Sequence, residues 1–268
     1  MNKQHPIGIF DSGMGGLTVA HAVSHLLPEE QLIYFGDSAH LPYGDKSAAT
    51  IQAYSIKICD VLLQKGCKVI LIACNSASAA AYELIKAYVG SKALVINVID
   101  PVVEYLVSNF SKKKIGLIGT KQTVGSGVYE YQVKLKDSSI QIGSLATPLL
   151  VPMIEEGFHR NEISEAIIEE YLSSETLEAI EALILGCTHY PLIKQKVTKY
   201  YAENVEVIDS SEIVAATLKK VLGENDLLIK KRSKPNEFLV SDITPSFEAA
   251  TGLFFGTKVP LTLHKLWE

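Results

Sequence analysis

The chain has 268 residues, 47% hydrophobic and 21% charged, with a formal net charge of -5, a balance that excludes a disordered or fibrous chain and shows no polyanion-binding excess. Nucleic acid is therefore not an expected partner; MNKQHPIGIF lacks a leader pattern, and no apolar run approaches the roughly 20 residues of a membrane span. The four cysteines, Cys59, Cys67, Cys74 and Cys187, form no Cys-x-x-Cys pair, so free thiols in a cytoplasmic protein are expected rather than a disulfide framework.

In chain order, the first apolar run (7–10) reads as a strand and leads through FDSGMGG into a helix near 16–27. Gly13, Gly15 and Gly16 would let the backbone approach a ligand, with Asp11 and Ser12 at the strand tip. The run is not a dinucleotide fingerprint, because Thr18 stands where a third glycine is required. A strand at 32–35 meets FGDSAHLPYG, where Tyr43 could offer its hydroxyl and Gly44 its amide, or Pro42 could simply fix a turn. A helix at 47–65 and a strand at 68–73 follow, then ACNSAS and a helix at 76–89.

Next come a strand at 94–98, a helix at 101–110, a strand at 114–119, a helix at 123–135, a strand at 140–145 and a helix over 148–172 broken near Gly157. The strand at 182–186 runs into GCTHYP and a helix at 190–201, and a strand at 205–208 precedes a helix at 210–222. Residues 223–236 are the most polar part and read as a loop with room for one strand; FLVS and PLTL suggest two terminal strands around a helix near 246–254. This alternation predicts parallel sheets flanked by helices, in one large domain or two.

A weak internal repeat sharpens the picture. IGIFDS (7–12) resembles IGLIGT (115–120), and in each half such a strand precedes, at a similar distance, a strand ending in cysteine. The repeat points to two α/β halves related by duplication. In such sheets ligands bind beyond the carboxyl ends of strands, at helix N-termini. Cys74 and Cys187 stand there, each followed by a polar side chain. An ordinary thiol has a pKa near 8.5, and a helix N-terminus can lower it. Cys59 and Cys67 read as inert small hydrophobes. Two thiols approaching one cleft suit inversion of a stereocentre, since one base removes a proton from one face while an acid delivers one to the other. Backbone amides, Ser12, Asn75, Ser76 and Thr188 are candidates to stabilise the carbanion beside its carboxylate. A zinc site from Cys74, Cys187 and His189, a binding module, and a flavin or nucleotide protein are the alternatives.

The motifs IGIFDSGMGGLTV, YFGDSAHLPYG, LIACNSASA, IGTKQTVGS, VPMIEEG, LILGCTHYPL and VIDSSE together resemble, over nearly the whole length, the glutamate racemases of the aspartate/glutamate racemase superfamily. The resemblance implies an α/β fold of two similar, pseudo-twofold-related domains, with mostly parallel sheets flanked by helices and the active site in the cleft between them. It implies a discontinuous division into 1–97 plus 209–268 and 98–208. It also implies an amino-acid racemase, without cofactor or metal, that interconverts L- and D-glutamate, supplies D-glutamate for peptidoglycan and forms a homodimer. A sibling acting on aspartate or a hydantoin is the nearest rival.

By the same resemblance Cys74 works on D-glutamate and Cys187 on L-glutamate, Asp11 and His189 assist the respective thiols, and Glu155 orients His189. Asp11-Ser12, Tyr43-Gly44, Asn75-Ser76 and Thr188-His189 match substrate-binding pairs, with Thr120 and Thr123 as further candidates. Asp209 and Ser210 fit a family stretch without needing to touch ligand. Ser76 replaces a more usual threonine and keeps the hydroxyl, and His40 stands where many members have arginine. The remaining histidines, His5, His21, His25, His159 and His264, are read as structural.

Overall fold

A computed structural model describes residues 2–232 and 234–267, apart from the side chains of Pro245, Ser246, Ala249 and Ala250. The elements run β1 Ile7–Asp11, α1 Leu17–Leu26, β2 Leu32–Gly36, α2 Ala48–Gln64, β3 Val69–Ile72, α3 Asn75–Val89, β4 Leu94–Asn97, α4 Ile99–Asn109, β5 Lys114–Gly119, α5 Lys121–Gly125 and α6 Val128–Lys136. They continue with β6 Gln141–Ala146, α7 Leu150–Glu155, α8 Glu162–Leu172, β7 Ala182–Gly186, α9 Lys194–Tyr200, β8 Glu206–Ile208, α10 Ser210–Glu224, β9 Glu237–Val240, α11 Pro245–Phe255 and β10 Thr262–Leu263.

The strands form a six-stranded sheet, β10-β9-β2-β1-β3-β4, and a four-stranded one, β6-β5-β7-β8. Every pairing is parallel. Helices cover both faces, so β1, β2, β3 and β7 are buried along their whole length, which is why their sequences are continuous apolar runs rather than alternating ones. The order β2-β1-β3-β4 recurs as β6-β5-β7-β8. The strands carrying the sequence repeat, β1 and β5, hold the same place in their sheets, as do the cysteine strands β3 and β7.

Helix α10 joins the two sheets. It packs on α1 and on α4, burying Val214, Leu218 and Leu222 at helical spacing; each such side chain contributes about 1.5–3 kcal/mol when fully buried. Its N-cap, Asp209, accepts a hydrogen bond from the Ser211 amide, a local role for that residue.

Three boundaries differ from the sequence expectation. The helix expected over 123–135 divides into α5 and α6, because Gly127 adopts φ +63°, left-handed, between them. The helix expected over 190–201 opens as a 3-10 turn, Tyr190–Ile193, before α9 begins at Lys194. Over 225–236 no strand occurs among the described residues, and α10 extends through Glu224. Among the described residues no helix is long and apolar enough to cross a membrane.

Candidate active site

The carboxyl ends of β1, β3, β5 and β7 open onto one cavity, and both Cys74 and Cys187 line it. Cys74 ends the approach from β3 as the N-cap of α3, with its Sγ accepting from the Ala77 amide at 3.5 Å and donating to Ser12 Oγ at 3.7 Å. A helix start was expected to lower this thiol's pKa. Instead burial pushes the thiol up to about 12, and the Asp11 carboxylate adds to that, outweighing the Ala77 amide and the Ser12 hydroxyl. Desolvation of a thiolate is a larger effect than one weak amide contact can offset. Cys74 therefore rests as a thiol.

Cys187 follows β7, and its Sγ lies 3.7 Å from His189 Nδ1. The other ring nitrogen, Nε2, is 2.9 Å from Glu155 Oε1, on α7. Burial by itself would lower the His189 pKa, but its hydrogen bonds to Cys187 and Glu155 and their charges prevail and hold it at about 10. Both nitrogens then carry protons, and Nδ1–H points at the sulfur of Cys187. The two thiols thus differ in setting: one has a carboxylate and a hydroxyl for neighbours, the other an imidazolium.

The binding candidates divide by position. Ser12, Tyr43, Gly44, Asn75, Ser76, Thr120, Glu155, Thr188 and His189 line the cavity. Asn75 accepts from the Tyr129 hydroxyl at 2.8 Å through Oδ1, while its buried Nδ2 has no partner in the protein. A buried amide donor without a partner costs free energy. Ser76 Oγ lies 2.9 Å from Thr120 Oγ1, so these hydroxyls bridge the starts of α3 and α5. Thr123 is buried behind them, donating its amide to the Thr120 hydroxyl as part of the cap of α5. Asp11 is also fully buried, accepting from the Gly13 amide at 3.0 Å and from Thr188 Oγ1 at 3.4 Å. It reaches the cavity only through those neighbours.

Two sequence expectations change. Tyr43 does not present its hydroxyl to the cavity, because it donates to Asp37 Oδ2 at 2.6 Å. Of the three glycines expected to admit a ligand, only Gly13 lines the cavity; a Cβ on Gly15 would sit 2.5 Å from His189 Nδ1 and from Thr188 Oγ1, so that glycine admits protein instead. Gly44 is similar, since a Cβ there would lie 2.7 Å from Thr120 Cβ.

Sequence reading missed four contributors, Asp37, Thr18, Lys121 and Asp45. Asp37, fully buried, accepts from Tyr43 and from Ser241 Oγ at 2.6 Å and pairs with His40 Nδ1 at 2.7 Å. It follows directly on the tip of β2, as Asp11 ends β1 beside it, and an aspartate at a strand tip is the signal that could have found it. His40 also stacks on Tyr54 at 4.4 Å. Thr18 donates to the Thr188 carbonyl at 3.1 Å, across 170 residues of sequence. Lys121 and Asp45 both line the cavity and pair with each other at 3.3 Å. Among the described residues no group of three or more His, Cys, Asp or Glu side chains converges as metal ligands, so the zinc alternative lacks a donor set.

An arrangement of one thiol and one sulfur–imidazolium pair on a shared cavity, beside an unpartnered amide donor, can move a proton off and onto a carbon next to a carboxylate. The sequence matches the family model of Asp/Glu/Hydantoin racemases over residues 17–218. It is 39% identical over 256 residues to a glutamate racemase of Chlorobaculum parvum, covering 95% of this chain and 94% of that one. Among solved structures, glutamate racemase from Francisella tularensis in complex with D-glutamate superposes with a TM-score of 0.92 at 38% identity, covering 98% of each chain. A glutamate racemase isoform from Bacillus anthracis gives a TM-score of 0.94 at 32% identity, covering 99% of each chain.

Proposed function

Because the chain belongs to the Asp/Glu/Hydantoin racemase family and is an amino-acid racemase of the glutamate racemase kind, we propose that it inverts the α-carbon of glutamate by proton transfer between Cys74 and Cys187. The observation carrying this reading is that the two cysteines, on equivalent strands of separate sheets, line one cavity. Cys187, as thiolate, takes the α-proton of L-glutamate. Cys74, held as a thiol by burial and by Asp11, gives its proton to the opposite face of the carbanion. The S–H bond broken at Cys74 is replaced by one formed at Cys187, and the reverse reaction exchanges the roles. A single base would tend to return the proton to the face it left.

His189 donates a hydrogen bond to the sulfur of Cys187 without giving up its proton, and Cys187 and Glu155 together keep the imidazole charged. Asn75, whose Nδ2 has no partner in the protein, with Ser12, Ser76, Thr188 and the backbone at Tyr43 and Gly44, would hold the substrate carboxylates. Thr120 acts through Ser76, Asp11 through Gly13 and Thr188, and Thr123 supports Thr120 from behind. On this reading the reaction needs no cofactor and no metal.

The same reading takes the enzyme to be a cytoplasmic homodimer that supplies D-glutamate for peptidoglycan, divided as 1–97 plus 209–268 and 98–208. Sheet membership supports that division, since β9 and β10 complete the sheet of β1 to β4. Incubation of purified protein with L-glutamate in heavy water, without additives, is expected to yield D-glutamate carrying deuterium at the α-carbon. Recovery of unlabelled L-glutamate alone would overturn the proposal, and faster turnover of aspartate or a hydantoin would reassign the substrate.

A further inference from the structure

The His189 imidazole is hydrogen-bonded through both ring nitrogens, to Cys187 Sγ and Glu155 Oε1, and its remaining freedom is rotation about its Cα–Cβ and Cβ–Cγ bonds. Such a rotation would carry the Nδ1–H bond away from the sulfur. Two groups from the other sheet's side of the cleft oppose it. The Gly15 backbone passes so close that a Cβ there would lie 2.5 Å from Nδ1 and 2.6 Å from Cε1. Against the ring stands Phe254, on the last turn of α11, with centroids 5.3 Å apart and planes at 81°. Phe254 is 3% exposed and lies beyond residues 17–218, which the family model matches.

We infer that Phe254 is a positioning residue, which from the C-terminal helix fixes the plane of the His189 imidazole so that Nδ1–H stays aimed at Cys187. An edge-to-face pair at this separation is the preferred aromatic geometry, and the hydrogen bond to Cys187 that it keeps aligned is one of the contacts that hold the imidazole charged. Other charged or titratable groups facing the imidazole are Cys187 on its own loop and Glu155 on α7, with Asp11 one step further through Thr188. The inference rests on the two-thiol reading for its kinetic consequence, but not for the ring's placement.

The test compares Phe254→Ala and Phe254→Leu with the parent protein. In the alanine variant kcat for L-glutamate is expected to fall on the order of tenfold or more, as for other small displacements of a reacting group, with KM changed less. The primary deuterium isotope effect on kcat/KM with α-deuterated L-glutamate should rise, because removal at Cys187 becomes more limiting, while that with D-glutamate should not. Leucine, which keeps apolar volume but no ring, should restore thermal stability without restoring the isotope effect. The His189 imidazole nitrogens, followed by NMR across a pH titration, should titrate lower in both variants than in the parent. That arm requires no turnover, so it decides the inference even where the proposed activity fails. Parent-like isotope effects and a parent-like His189 titration in the leucine variant would reduce Phe254 to ordinary packing and overturn the inference.

Discussion

Cys74 and Cys187 share a residue type but not a setting, and the difference predicts how each fails. Replacing either with alanine removes one proton carrier and should lower racemisation by roughly 10²–10⁴. In heavy water, Cys74→Ala should still exchange the α-proton of L-glutamate faster than that of D-glutamate, and Cys187→Ala the reverse; equal exchange in both variants would count against the assignment. The same environment sets the pH dependence of stability. His189 is raised from 6.5 to about 10, and Cys74 from 9.0 to about 12. For groups raised on folding, the native state binds more protons than the unfolded chain between the two values, so stability falls as pH rises there. Urea unfolding should therefore show His189's contribution intact below pH 6.5 and lost toward pH 10, with the Cys74 thiol adding to the loss between 9 and 12. A His189→Asn variant should flatten the lower part of that decline.

The elements that matter most to the site are the short junctions, whose packing is unforgiving. At the start of α1, Gly15 leaves no room for a Cβ against His189 and Thr188. Gly15→Ala should destabilise the protein by about 1–3 kcal/mol through overpacking, and turnover should fall as well, because the imidazole must yield. Paired urea melts and steady-state kinetics would check both; an unchanged kcat would show that the ring adapts without cost. The loop at 41–45 hangs on Asp37, which holds Tyr43, His40 and, from the end of β9, Ser241. Asp37→Asn loses the charge that these donors share, so KM for glutamate should rise more than kcat falls, as the cavity wall loosens without touching the thiols.

Across the whole molecule, the end opposite the cavity is held by a buried charge. Lys68 Nζ, at the start of the cysteine strand β3, donates to Glu30 at 2.6 Å, to the Lys3 carbonyl at 2.7 Å and to the Leu227 carbonyl at 2.9 Å. Glu30 in turn accepts from the Ile229 amide at 3.1 Å. Burial lowers the Lys68 pKa and Glu30 opposes it. This cluster binds the chain's first residues, β3 and the segment after α10 to one another. Lys68→Met leaves Glu30 buried and uncompensated, and should cost about 3–5 kcal/mol in chemical denaturation while kcat of the remaining folded protein stays near the parent value. A loss of kcat without a loss of stability would mean that the cluster acts on the site directly.

Sequence alone specified the alternation of strand and helix, because buried parallel strands require unbroken apolar runs and the helices between them carry their own caps and periodicity. It also placed both cysteines at strand ends, since the strand periods stop there and the capping residues begin. Tertiary structure decided what one-dimensional spacing does not encode. It turned the Tyr43 hydroxyl toward Asp37, set Asp11 behind the cavity rather than on it, filled Gly15's space with the His189 ring, and brought Thr18 to Thr188 and Phe254 to His189. It also reversed the expected shift of the Cys74 thiol, because a helix start is a local feature of the chain, whereas desolvation is set by everything that packs around the sulfur.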